Sequence, residues 1–130
     1  MDRFPRYVAA ALGIFMVVFG LWAFAAPRSF YTDIAGFGVY NLHLLHDVGS
    51  FQVGLGAALL AALVISDAIT VVLIGGAAGS VLHAISHIID RDLGMPNTKK
   101  EPIELSVVAV IIVIAALLSL RARRRPTPPS

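Results

Sequence analysis

All of the chain's histidines fall in two short runs, YNLHLLHDVG at 40–49 and HAISHIID at 83–90. The first run carries His43, His46 and Asp47, and the second His83, His87 and Asp90. His83 and His87 are four residues apart, and His43 and Asp47 repeat the spacing with a carboxylate. On an α-helix a four-residue step sets two side chains one above the other. Helical histidines share a metal ion in that arrangement. His43, Asp47, His83 and His87 together could enclose one cation. Nitrogen and oxygen donors without sulfur suit Zn, Fe, Cu, Ni or Mn. Asn41, His46 and Asp90 flank this set as further ligand-binding positions, and His46, Asp90 and Glu104 could orient the metal-bound groups through hydrogen bonds. The absence of cysteine excludes thiolate sites and iron–sulfur clusters. Haem, held by two axial histidines, is the weaker alternative, because neighbouring packed helices sit about 8–10 Å apart and leave no room for a porphyrin plate. No Ser–His–Asp arrangement and no phosphate-binding glycine loop is recognisable.

The surroundings of these polar groups are almost pure hydrocarbon. The chain has 130 residues, of which 58% are hydrophobic and 14% charged, against about 25% charged in a soluble domain. That composition predicts an integral membrane protein with the lipid bilayer as its first partner. A net charge of +2 gives no reason to expect nucleic acid. Four stretches are long enough to span the roughly 20 residues a bilayer core requires: 7–26, 41–65, 68–89 and 103–120. Backbone groups in lipid must be bonded within the segment, so the spans are helices. The fold class expected is all-α, a four-helix transmembrane bundle over 1–120, followed at 121–130 by a basic, proline-rich disordered tail.

Positioning of the polar groups follows from the link between the second and third spans, Ser66 and Asp67. So short a link makes an antiparallel hairpin, with Asp67 as N-cap of the following helix. The hairpin levels Asp90 with His43, His87 with His46, Ser86 with Asp47, and His83 with Ser50. On the second span His43, His46, Asp47, Ser50, Gly54 and Ala57 or Ala58 fall on one stripe. On the third, Gly75, Gly79, His83, His87 and Asp90 form another. The G-x-x-x-G step from Gly75 to Gly79 would let these two helices approach closely, bringing the histidines together at one end. Gly13 and Gly20 are close-packing positions on the first span. The segment 27–40, with Phe30, Tyr31, Phe37 and Tyr40, reads as an interfacial loop, and Trp22, Tyr7 and Tyr40 as interfacial anchors. Thr98 with Glu101 offers a capping box before Pro102.

Basic residues orient the bundle. With both termini cytoplasmic, Arg3, Arg6, Arg121, Arg123, Arg124 and Arg125 lie inside, against Arg28, Arg91, Lys99 and Lys100 outside. The histidines then gather at the extracytoplasmic end. The opening 27 residues resemble a signal peptide, but their apolar run exceeds the roughly 7–15 residues of a signal core, so they read as a retained helix. A proton or ion path across the membrane is disfavoured, because Gln52, Ser80, Thr70 and Ser119 are the only polar groups at greater depth and lie on various faces.

The motifs P-x-x-F-Y at 27–31, N-x-H-x-x-x-D-x-G from Asn41 to Gly49, and H-x-x-x-H-x-x-D from His83 to Asp90 resemble those of a group of small bacterial inner-membrane proteins. These are four-helix chains broadly similar to DoxX-like proteins. His46 departs from the pattern, in which an arginine would stand. The resemblance implies a multi-pass protein of the bacterial cytoplasmic membrane in which Asn41, His43, Asp47, Gly49, His83, His87 and Asp90 act as one unit, and it implies no activity. The residues themselves support binding of a transition-metal ion or small polar ligand, for redox chemistry or metal handling. The alternative is an accessory or assembly subunit, joined to a membrane-protein partner or to its own copies, whose polar cluster serves helix packing. Whether the chain is an enzyme is left open by its sequence.

Overall fold

The computed structural model describes residues 3–36, 38–65, 68–90, 92 and 101–124. Among them the chain is all-helical: α1 is Arg3–Ala25, α2 Pro27–Asp33, α3 Leu42–Ala61, α4 Ala68–Ile89 and α5 Glu101–Arg123. All but α2 are long and apolar enough to cross a bilayer. At about 1.5 Å per residue even α3, with 20 residues, spans the roughly 30 Å hydrocarbon core. Large apolar side chains cover the outside, among them Phe15, Val18, Leu21, Val110 and Ile114. A water-facing protein rarely exposes apolar patches of that extent. Composition and surface are those of a multi-pass membrane protein.

Small residues fill the inside. Of the fourteen buried apolar residues described, eight are alanine: Ala9, Ala23, Ala62, Ala77, Ala84, Ala109, Ala115 and Ala116. In lipid, apolar burial does not drive helices together, and close van der Waals packing does so instead. The α1/α3 seam carries this furthest. Gly20 lies opposite Gly49 and Gly13 opposite Gly56, so that a Cβ added at Gly49 would stand 2.7 Å from the Gly20 carbonyl oxygen. The same antiparallel register, one heptad further on, lets the Arg6 guanidinium donate to the Leu63 carbonyl at 2.5 Å. A seven-residue step keeps one stripe of each helix on a single left-handed seam. α4 packs chiefly along α5, where Thr70 and Ser119 share a buried hydrogen bond of 2.6 Å.

The two helix pairs join at one end. Ala9, Leu59, Ala62, Ile69, Leu73, Ala77, Ile112, Ala115 and Ala116 form one core there, drawn from all four long helices. This is the arginine end, where α1 and α4 begin and α3 and α5 finish. At the opposite, histidine end, a separate core of Ala23, Phe30 and Leu45 ties α1, α2 and α3 together.

Several boundaries depart from the sequence expectation. The segment 27–40 is not a loop throughout: Pro27, at the first helical position, starts α2. Phe30 is buried against Phe19 and Trp22, Trp22 Nε1 donates to Ser29 Oγ at 2.6 Å, and Tyr31 donates to the Gly38 carbonyl at 2.7 Å. Gly38 holds φ = +63°, which favours glycine. α1 begins at Arg3 and α5 runs to Arg123, because charged residues mark the edge of lipid and not the end of a helix. α3 stops at Ala61, short of residue 65; the Leu63 and Val64 amides turn back to Leu60 and Ala61, three residues earlier. The expected Asp67 cap, the Thr98–Glu101 capping box, Arg91, Lys99, Lys100 and the tail from Arg125 onward lie outside the described residues and side chains.

Candidate functional site

Each expected ligand pair is present as a pair. His43 Nε2 lies 3.5 Å from Asp47 Oδ2, one turn apart on α3. The His83 and His87 rings meet edge to face with centroids 4.7 Å apart on α4. His43 and Asp47 point outward, with side chains 87% and 52% exposed. His83 is exposed and His87 half-buried.

The pairs do not join into one cluster. Among the described residues no three His, Asp or Glu side chains come together as a metal would require. The expected shared face of α3 and α4 is corrected by the packing: α3 lies along α1, and α4 along α5. Gly75 and Gly79, expected to seal the hairpin, have nothing within 4 Å of an added Cβ among the described residues, and neither does Gly54. Gly76, between them, is the glycine of α4 that meets neighbours, Leu12 and Ile112. Rotation explains the separation. Leu59, in the core with Leu73 of α4, lies about 120–160° around α3 from Asp47 and His43 at about 100° per residue. The His43/Asp47 stripe is therefore turned well away from α4. The close α3/α4 contact on which the exclusion of haem rested is likewise not made.

The flanking positions have local roles. Asn41 caps α3, its Oδ1 accepting from the Leu44 amide at 3.1 Å. The His46 ring packs on Phe24 of α1 at 5.0 Å between centroids, and its carbonyl accepts from Ser50 Oγ. Asp90 follows the end of α4, its amide donating to the Ser86 carbonyl at 2.8 Å. Glu104 is exposed near the start of α5.

The stripe on α3 is a feature that spacing identified but whose surroundings only packing could give. His43, Asp47, Ser50, Gly54, Ala57, Ala58 and Ala61 are all exposed. Between Ser50 and Ala61 the stripe holds nothing larger than alanine. Gln52, read from sequence as one of several scattered polar groups, has a buried Oε1 without a hydrogen-bond partner among the described residues, close to Gly20.

Compared with protein-family models, curated proteins and solved structures, the chain has no match.

Proposed function

We propose that this chain is a multi-pass protein of the bacterial cytoplasmic membrane, with both termini inside, that binds a transition-metal ion or small polar ligand at the extracytoplasmic ends of α3 and α4. The observation that carries the reading is the pair of half-sites, His43 with Asp47 and His83 with His87, each one helical turn apart. Two donors stacked on a helix supply half of a tetrahedral shell. Ionisable groups in a membrane segment are expensive and rarely face lipid without a partner. The ligand would serve metal handling or redox chemistry, and Zn, Fe, Cu, Ni or Mn fits the donors. The DoxX-like resemblance groups Asn41, His43, Asp47, His83 and His87 as one unit and implies no activity for them.

The test is to purify the protein in mild detergent and measure bound metal and visible absorption. Stoichiometric metal that disappears in a His43→Ala/Asp47→Ala or a His83→Ala/His87→Ala variant supports the reading. Absence of any bound metal or chromophore, and no uptake on addition of the metals named, overturns it. A second reading, an accessory or assembly subunit whose polar groups serve packing between chains, is favoured by the uncovered glycines Gly54, Gly75 and Gly79. A partner that co-purifies with metal-free protein would select it.

A further inference from the structure

We propose that Arg121 and Arg124 clamp the phosphate of one anionic phospholipid, whose acyl chain lies along Val110, Ile114 and Leu117 of α5. The proposal is separate from the metal-binding reading and does not depend on which side of the membrane the arginine end faces.

These positions form one outward stripe. Val110, Ile114 and Leu117 are well exposed, and so are Arg121 and Arg124. Alternating steps of four and three residues keep them on one face of the helix. The last step is tighter than the others. The Arg124 amide donates to the Arg121 carbonyl, three residues back, at 3.2 Å. In such a turn, side chains three residues apart eclipse one another, so the two arginines leave the helix from the same side. Arg123 does not share that side, because it falls in line with Ile112, Ala116 and Ser119, which are buried.

The charge at this end is of one sign among the described residues. Asp33, Asp47, Asp90, Asp92 and Glu104 all belong to the histidine end, whereas Arg3, Arg6, Arg121, Arg123 and Arg124 belong to the other. No described carboxylate pairs with Arg121 or Arg124. Arg121 stands about 6 Å along the helix beyond Leu117, where hydrocarbon gives way to headgroups. There its stem can lie in lipid while its head meets phosphate. Guanidinium groups hold phosphate oxygens through paired hydrogen bonds. A lipid with a net negative charge complements the pair better than a zwitterionic one, whose own ammonium already offsets its phosphate. On α1, Arg3 likewise crowns an outward stripe, with Tyr7, Ile14 and Val18, but it brings a single guanidinium.

The test offers the purified protein, in mild detergent, equal amounts of phosphatidylglycerol and phosphatidylcholine with matched chains, and counts bound lipid by native mass spectrometry. One phosphatidylglycerol should be retained at least about tenfold better than phosphatidylcholine. Arg121→Gln/Arg124→Gln should remove that preference with helical content unchanged. Arg121→Lys/Arg124→Lys keeps both charges and should still lose about threefold or more, because an ammonium makes no paired bonds. Arg3→Gln takes one charge from the same end and should change the preference less than about twofold. Glycerol phosphate in solution should not displace the lipid, since it has no chain to lie along α5. Equal retention of the two lipids overturns the proposal and leaves the arginines as partners of the α5 dipole. A loss in Arg3→Gln as large as in the double variant overturns it in favour of diffuse charge. Displacement by glycerol phosphate overturns the lipid as occupant.

Discussion

Two sets of glycines divide the molecule. Gly13, Gly20, Gly49 and Gly56 are sealed, each with foreign atoms within about 3 Å of where a Cβ would sit. Gly54, Gly75 and Gly79 have nothing within 4 Å of that position among the described residues. The residue type is the same and so is the apolar sequence around it. The difference lies in rotation about the helix axis. Gly49 and Gly56, seven residues apart, face α1, whereas Gly54 looks outward. Sealed glycines hold α1 and α3 together, and the open ones take no part in that packing.

That contrast can be broken by substitution, and the largest effect belongs to the seam. Gly49→Leu drives a side chain into the Gly20 carbonyl and the Phe24 amide, atoms that no rotamer change can move aside. Its cost should be about 3 kcal/mol or more, seen as a collapse of the unfolding midpoint in a denaturing-detergent titration. Next in size is the buried hydrogen bond of the other pair. Thr70→Val leaves the Ser119 hydroxyl without its partner and should cost about 1–2 kcal/mol. The Thr70→Val/Ser119→Ala double variant should recover part of that loss, and a double-mutant cycle isolates the coupling. Arg6→Met removes the donor to the Leu63 carbonyl and a positive charge at the end of α3, for about 1 kcal/mol in the same titration. Trp22 is the only tryptophan, so Trp22 emission reports the α1/α2 contact directly. Ser29→Ala, which deletes its acceptor at 2.6 Å, should shift that emission with a stability change below about 1 kcal/mol. Smallest of all is Gly75→Ala, expected within about 0.5 kcal/mol of the unaltered protein. A large effect there would mean that Gly75 is covered in the folded protein.

The helical type and the four long spans were legible because twenty-residue apolar runs have one solution in lipid, and 68–89 coincides with α4 to the residue. The seam glycines on α1 were legible too, since Gly13 and Gly20 stand out in an otherwise bulky span. Partner choice was not. The end of α3 and the start of α4 share one core, yet the faces the two helices present depend on rotations about their own axes. G-x-x-x-G at Gly75 was the more familiar signal, and the seven-residue spacing of Gly13 with Gly20 and Gly49 with Gly56 was the one that packing used. At seven residues, α2 is too short for a hydrophobic period to be read. The His43/Asp47 and His83/His87 pairs could be read from spacing because each lies within one turn of one helix, where neighbours in sequence are neighbours in space. Their relation to one another is a tertiary property, and spacing holds no information about it.

The α1/α3 seam also bears on how the protein is made. Every residue of that seam lies in the first half of the chain, so its two rods can zip together in the bilayer while α4 and α5 are still being synthesised. The later pair then docks onto a platform already built, through the alanine-rich core that all four long helices share.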